Sequence, residues 1–132
     1  MTEHAKGTFD VKVLPQTDDV AIGDPSIGRF ALEKQFHGDL DAVSKGQMLG
    51  SRSDNSTGGY VAIERISGSL SGRKGSFSLQ HIGTMQGGKS SMDVQVVPGS
   101  GSGELEGING RMTIIVTDGK HAYDFQYSLP VH

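Results

Sequence analysis

The sequence predicts an all-β protein, a single antiparallel closed β-barrel of about eight strands, and three observations point there. Short runs in which apolar and polar residues alternate recur along the chain, the period of a half-buried strand. Glycine is abundant, with 20 among 132 residues against an average usage of about 7%. It recurs between the alternating runs, where tight turns, bulges and barrel corners need it. No 3.6-residue periodicity extends over about ten residues. A sheet of this size must manage its edges, and closure removes them altogether. The glycines at strand starts favour this barrel over the alternative, a β-sandwich.

The first strand covers residues 8–14, with Phe9, Val11 and Val13 on one face and charges on the other. Residues 15–25 read as a loop whose Asp18-Asp19 pair is solvated. The second strand, 28–37, places Phe30, Leu32, Lys34 and Phe36 on one face and Ala31, Glu33, Gln35 and His37 on the other. Residues 40–52 alternate weakly, with Leu40, Ala42, Ser44 and Met48 in phase. Residues 53–59 form a loop by turn chemistry, and 60–66 form the next strand, with Tyr60, Ala62, Glu64 and Ile66 in phase. Gly68 and Gly72 flank the passage into a strand carrying Phe77, Leu79 and His81 on one face. A hairpin loop at 85–89 leads to Met92, Val94 and Val96 in phase; 98–103 break the pattern and 104–108 briefly resume it. Residues 111–117 and 121–129 flank Asp118-Gly119, a favoured type I′ hairpin turn.

The length suits one domain over 1–132, and a chain near this size buries roughly 68–70% of its unfolded surface, enough for a true core. The absence of cysteine excludes disulfides, thiolate metal sites and cysteine nucleophiles. A net charge of −3 with scattered acids and bases offers no basic stripe for nucleic acid and no polybasic helix for a membrane surface. Residues 1–6 lack the pattern of a signal peptide, and no apolar run approaches the roughly 20 residues of a membrane helix. A cytoplasmic protein is the expectation, with neither nucleic acid nor membrane as partner.

Local motifs are few. The glycine-rich segment 99–107 lacks the Gly-Lys-Ser/Thr of a phosphate loop and precedes the strand-like Thr113-Ile114-Ile115-Val116 rather than a helix, so it reads as a corner or bulge. Glu104 follows those glycines, with Leu105 fixing the next position. No Gly-x-Ser-x-Gly elbow occurs. The histidines, His4, His37, His81, His121 and His132, show no metal-pair spacing, and neither metal nor cofactor is expected. A site assembled from His81, His37 and a carboxylate is the one metal arrangement the pattern allows. His4 and His132 are expected to be disordered termini.

Phase matching is more informative. If each apolar parity points inward, the interior contains Glu64, His81, Lys34 and the hydroxyls of Tyr123 and Tyr127 within an oily lining. Buried charges need one another, and a carboxylate beside an imidazole makes a general acid/base pair. The bland readings compete: Glu64 paired with Arg65 on the surface, His81 satisfied by one carbonyl, Lys34 snorkelling to a barrel mouth. Arg73, at a turn, reads as exposed.

Four segments carry a resemblance: Lys34-x-Phe36-His37-Gly38-Asp39-Leu40, Gly59-Tyr60-Val61-Ala62-x-Glu64, Gly72-Arg73-x-Gly75-Ser76-Phe77-x-Leu79-Gln80-His81, and Val97-Pro98-Gly99-Ser100-Gly101-x-Gly103-Glu104-Leu105. In them the chain resembles a small bacterial family of domains of unknown function, related in fold to the allene oxide cyclase barrel. The resemblance implies an antiparallel barrel with a central cavity, found as a homo-oligomer, and supplies no activity. The expected function is binding of a small, largely apolar or lipid-like molecule with a polar group. Its ligand-binding residues are Phe30, Lys34, Tyr60, Phe77, Leu79, Glu104, Tyr123 and Tyr127, with His81 and Glu64 orienting the ligand. Two alternatives stand: an isomerase or cyclase in which His81 and Glu64 are catalytic, and an interaction module with a filled barrel.

Overall fold

The computed structural model describes residues 2–16 and 23–130; Asp18, Asp19 and His132 lie outside the described residues. The described residues contain strands and turns and no helix, so no helix among them could cross a membrane. The strands are β1 (Glu3–Pro15), β2 (Gly28–Gly38), β3 (Leu40–Asp54), β4 (Thr57–Leu70), β5 (Arg73–Gln86), β6 (Lys89–Val96), β7 (Ser102–Gly103), β8 (Asn109–Thr117) and β9 (Lys120–Ser128). They run β4-β3-β2-β1-β9-β8-β6-β5, and β4 pairs with β5 to close an antiparallel barrel of eight strands; β7 is an extra strand on β5. Three two-residue hairpins, at Ser71-Gly72, Gly87-Gly88 and Asp118-Gly119, have positive φ at both central positions, the type I′ geometry that matches strand twist.

The turns after β2 and β4 and the β6-to-β8 connection lie at one end of the barrel, which is packed shut. Phe36, Leu40, Ile66, Leu70, Phe77 and Phe125 fill it and are inaccessible to solvent. Phe77 stacks on Phe125 at 5.5 Å between centroids, and Phe125 on Tyr127 at 5.3 Å. An eight-stranded barrel is just wide enough for side chains to fill. The Tyr123 hydroxyl donates to the His37 carbonyl and accepts from the Leu40 amide, each at 2.8 Å, tying β9 to the β2–β3 turn.

Residues 104–108 do not resume a strand. They form a turn in which the Leu105 amide bonds to the Ser102 carbonyl and the Ile108 amide to the Leu105 carbonyl. Leu105 and Ile108, three apart on this turn, are both buried in the core cluster at the closed end. Arg65, on the outer face of β4, holds this connection in place by donating to the Ser100 carbonyl at 2.7 Å and to Ser76 and Ser78 of β5 at 2.7 and 3.1 Å. His4 is not in a disordered terminus. It lies in β1, with Nδ1 2.9 Å from Asp124 of β9, because β1 extends to Glu3 and pairs with β9.

Candidate functional site

The other end is built differently. Inward-facing residues near the strand termini, among them Val13, Met85, Met92 and Val116, are solvent-exposed, and Phe30, Met48, Tyr60 and Ile114 are half-buried. This half of the lumen is therefore an open, apolar funnel. Its floor is a charged cluster above the packed core.

Glu64 is the centre of that cluster. In the β4–β5 register Glu64 lies opposite Leu79 and Ala62 opposite His81, so Glu64 and His81 are diagonal neighbours on one face, within reach of long side chains. Glu64 Oε2 is 2.5 Å from His81 Nε2 and 2.7 Å from Lys34 Nζ, while Oε1 accepts from the Ser44 hydroxyl at 2.8 Å. Lys34 sits on β2 opposite Ser44 of β3, and Gly46, the next inward position of β3, faces Glu64. A Cβ at Gly46 would lie 2.4 Å from the Ile63 carbonyl and 2.7 Å from Glu64 Cα. The missing side chain lets the lysine cross β3 to the carboxylate. The Lys34 ammonium also lies 4.9 Å from the Phe9 ring centroid and 5.8 Å from that of Phe36, two cation–π contacts.

The electrostatics follow from this geometry. Glu64 is wholly buried, and His81 and Lys34 are 6% and 9% exposed. Burial is the largest influence on Glu64 and pushes its pKa up. The hydrogen bonds and charges of His81 and Lys34, the His81 hydrogen bond first, together outweigh it and bring the carboxyl down to about 2. The Tyr60 phenol is pushed up, first by burial and then by the charge of Glu64. An ionised carboxylate only accepts hydrogen bonds, so His81 Nε2 carries a proton whatever the charge of the ring. Nε2 makes the one hydrogen bond of that ring, and among the described residues no fully buried side-chain nitrogen or oxygen lacks a partner. His81 Nδ1, on an inward-facing side chain, is therefore not fully buried. Tyr60 stands opposite Gly83 and lies across it, with its ring 6.5 Å from that of His81.

The structure thus brings Glu64, His81 and Lys34 together, with Tyr60 and Phe30 above them. Lys34 does not snorkel to the mouth, and Glu64 does not pair with Arg65, which faces outward; the parity of β4 separates the two. Phe77, Leu79, Tyr123 and Tyr127 belong to the packed closed half. Glu104 is outside the barrel, accepting from the Lys74 amide at 3.0 Å, and Arg73 is exposed at that same end. His37 faces outward, 3.1 Å from Asp10, so it cannot meet His81 at a metal. Among the described residues no group of three or more histidine or acidic side chains is arranged to hold a metal ion. Ser44 and Gly46 complete the site without having been singled out as site residues, though Ser44 is in phase with Leu40 and Ala42. A groove of about 790 Å³ runs over the outer face of β3, β4 and β5, lined by the side chains of Leu49, Val61, Ile63, Ile82, Lys45 and Arg65, and it also touches Gly46 and His81 of the site. Those side chains point away from the charged cluster.

Comparison with known proteins gives a consistent picture. A family model described as "Protein of unknown function (DUF3224)" matches residues 5–127. A solved structure of a DUF3224-family protein of unknown function from Shewanella oneidensis MR-1 is 41% identical, with all of each chain covered and a TM-score of 0.89. No curated protein matches.

Proposed function

The chain belongs to the DUF3224 family, and on that footing we propose that the open half of its barrel binds a small, largely apolar molecule bearing a hydroxyl or similar hydrogen-bonding group. One observation carries the reading: an apolar funnel ends on a charged cluster in which one ring nitrogen, His81 Nδ1, makes no hydrogen bond and is not fully buried. Ligand sites combine apolar walls with a few placed polar groups in this way. Glu64 and Lys34 hold the imidazole in position, and Phe30, Met48, Tyr60 and Ile114 supply the walls. A hydroxyl both donates and accepts, so it suits Nδ1 in either charge state of the ring.

Catalysis of an isomerase or cyclase kind draws less support. A carboxyl held at about 2 and already accepting three hydrogen bonds is a poor general base near neutral pH.

The test is native mass spectrometry and thermal-shift screening of apolar alcohols, carboxylic acids and aryl compounds against the wild type and His81→Phe. Binding of hydroxyl-bearing apolar compounds that is weakened in a folded His81→Phe variant is the expected result. No binder, or binders indifferent to His81, would overturn the reading.

A further inference from the structure

The barrel wall is not uniform. β5 and β6 pair continuously from Leu79↔Val96 to Gln86↔Lys89, and β8 and β9 from Asn109↔Ser128 to Thr117↔Lys120. Between β6 and β8 a single pair, Gln95↔Arg111, is made. It lies toward the closed end, where Arg111 and Asp93 also approach to 3.6 Å on the outside. From there toward the mouth no further pair joins the two strands. A cleft of about 520 Å³ occupies the seam, lined by Met92, Val94, Met112, Ile114 and Val116 and, on its polar side, by residues that include Asp93 and Arg111. Met92 and Val116, although inward in phase, are 46% and 59% exposed.

This seam adjoins the site. Val94 is directly opposite His81 in the β5–β6 register and lines the seam cleft as well. Val94, itself buried, is therefore the side chain that stands between the imidazole and the seam between β6 and β8. Two of its lining residues are methionines, whose unbranched, polarizable chains adapt to varied apolar shapes.

We infer that the β6–β8 seam is a lateral channel for the chain of a linear amphiphile whose hydroxyl head sits at His81 Nδ1. The inference rests on the binding reading above and narrows it to a ligand class, a hydroxyl-headed molecule longer than the funnel. The polar head lies beside the ring nitrogen, and the chain covers Ile114, Met92 and Val116, which are half-buried or exposed, as it leaves through the wall.

The experiment compares hexan-1-ol and dodecan-1-ol by titration calorimetry and native mass spectrometry. The proteins are the wild type, Met92→Glu, Val116→Glu, and Ile115→Glu as a control on the outer face of β8. All three positions tolerate charge without core disruption because these side chains are exposed, and melting curves check that each variant folds. The seam variants are expected to weaken dodecan-1-ol by about tenfold or more and hexan-1-ol by less than about twofold, since a carboxylate in the channel opposes only a chain that reaches it. Ile115→Glu should leave both unchanged. Seam variants that bind dodecan-1-ol as the wild type does, or an equal loss in Ile115→Glu, would overturn the channel and leave binding in the funnel standing. A folded wild type that binds neither alcohol would overturn the binding reading itself, and the channel with it.

Discussion

Glu64 Oε2 and His81 Nε2 lie 2.5 Å apart across the β4–β5 ladder, although neither residue is the other's register partner. The diagonal leaves each of them a second role: Glu64 also receives Lys34 and Ser44, and His81 keeps its other ring nitrogen without a hydrogen bond. Glu64 therefore organises the site, and His81 presents it.

The cluster should be costly to break and cheap to replace. Lys34→Met leaves Glu64 buried without its main counter-charge and is expected to destabilise the fold by about 3–5 kcal/mol. The combined variant Lys34→Met, Glu64→Leu, His81→Phe removes all the charge together and should recover most of that loss. Urea unfolding measures both. A single variant as stable as the wild type would mean that the pairing contributes nothing.

Acid should remove the stabilisation that Glu64 contributes. Its carboxyl lies at about 2 in the folded protein against an ordinary 4.5, so the contribution is complete above about 4.5 and is lost as pH falls through about 2. The displacement corresponds to about 3 kcal/mol. Unfolding free energies measured from pH 7 downward should fall more steeply for the wild type than for the combined apolar variant. Parallel acid profiles would contradict the assignment.

Gly83 should control the position of Tyr60. A Cβ added there would lie 2.3 Å from the Tyr60 ring, so Gly83→Ala must displace that ring from beside His81. Ring-to-ring nuclear Overhauser contacts between Tyr60 and His81 should disappear while amide shifts in the closed half stay put. Retention of those contacts would show that the ring is held by something else.

Arg65 should hold the closed end shut. Arg65→Ala removes its bonds to the Ser100 carbonyl and to Ser76 and Ser78. Hydrogen exchange at residues 100–108 should accelerate more than in β2 and β3. A uniform change across the barrel would mean that the effect is global.

The strand phases were legible because one strand's alternation states which residues share a face. That alone set Glu64, His81 and Lys34 on inward parities. Depth along the barrel was not legible, since parity says nothing about which layer a residue occupies; hence Lys34 was expected at the mouth, and Tyr123 and Tyr127 beside the ligand. Ser44 and Gly46 belong to the site only through the β2–β3–β4 register, which no single strand encodes. The 104–108 segment resembles a strand by its short alternation, whereas Leu105 and Ile108, three apart, are spaced to share one side of a tight turn. The thin β6–β8 pairing is likewise a property of two strands together.

The most direct measurement is the ¹⁵N spectrum of His81 in selectively labelled protein, with and without saturating dodecan-1-ol. The account predicts a protonated Nε2 that stays where it is, held by Glu64, and an Nδ1 resonance that moves when the alcohol is added. An Nδ1 resonance that does not respond while the alcohol is bound would contradict it.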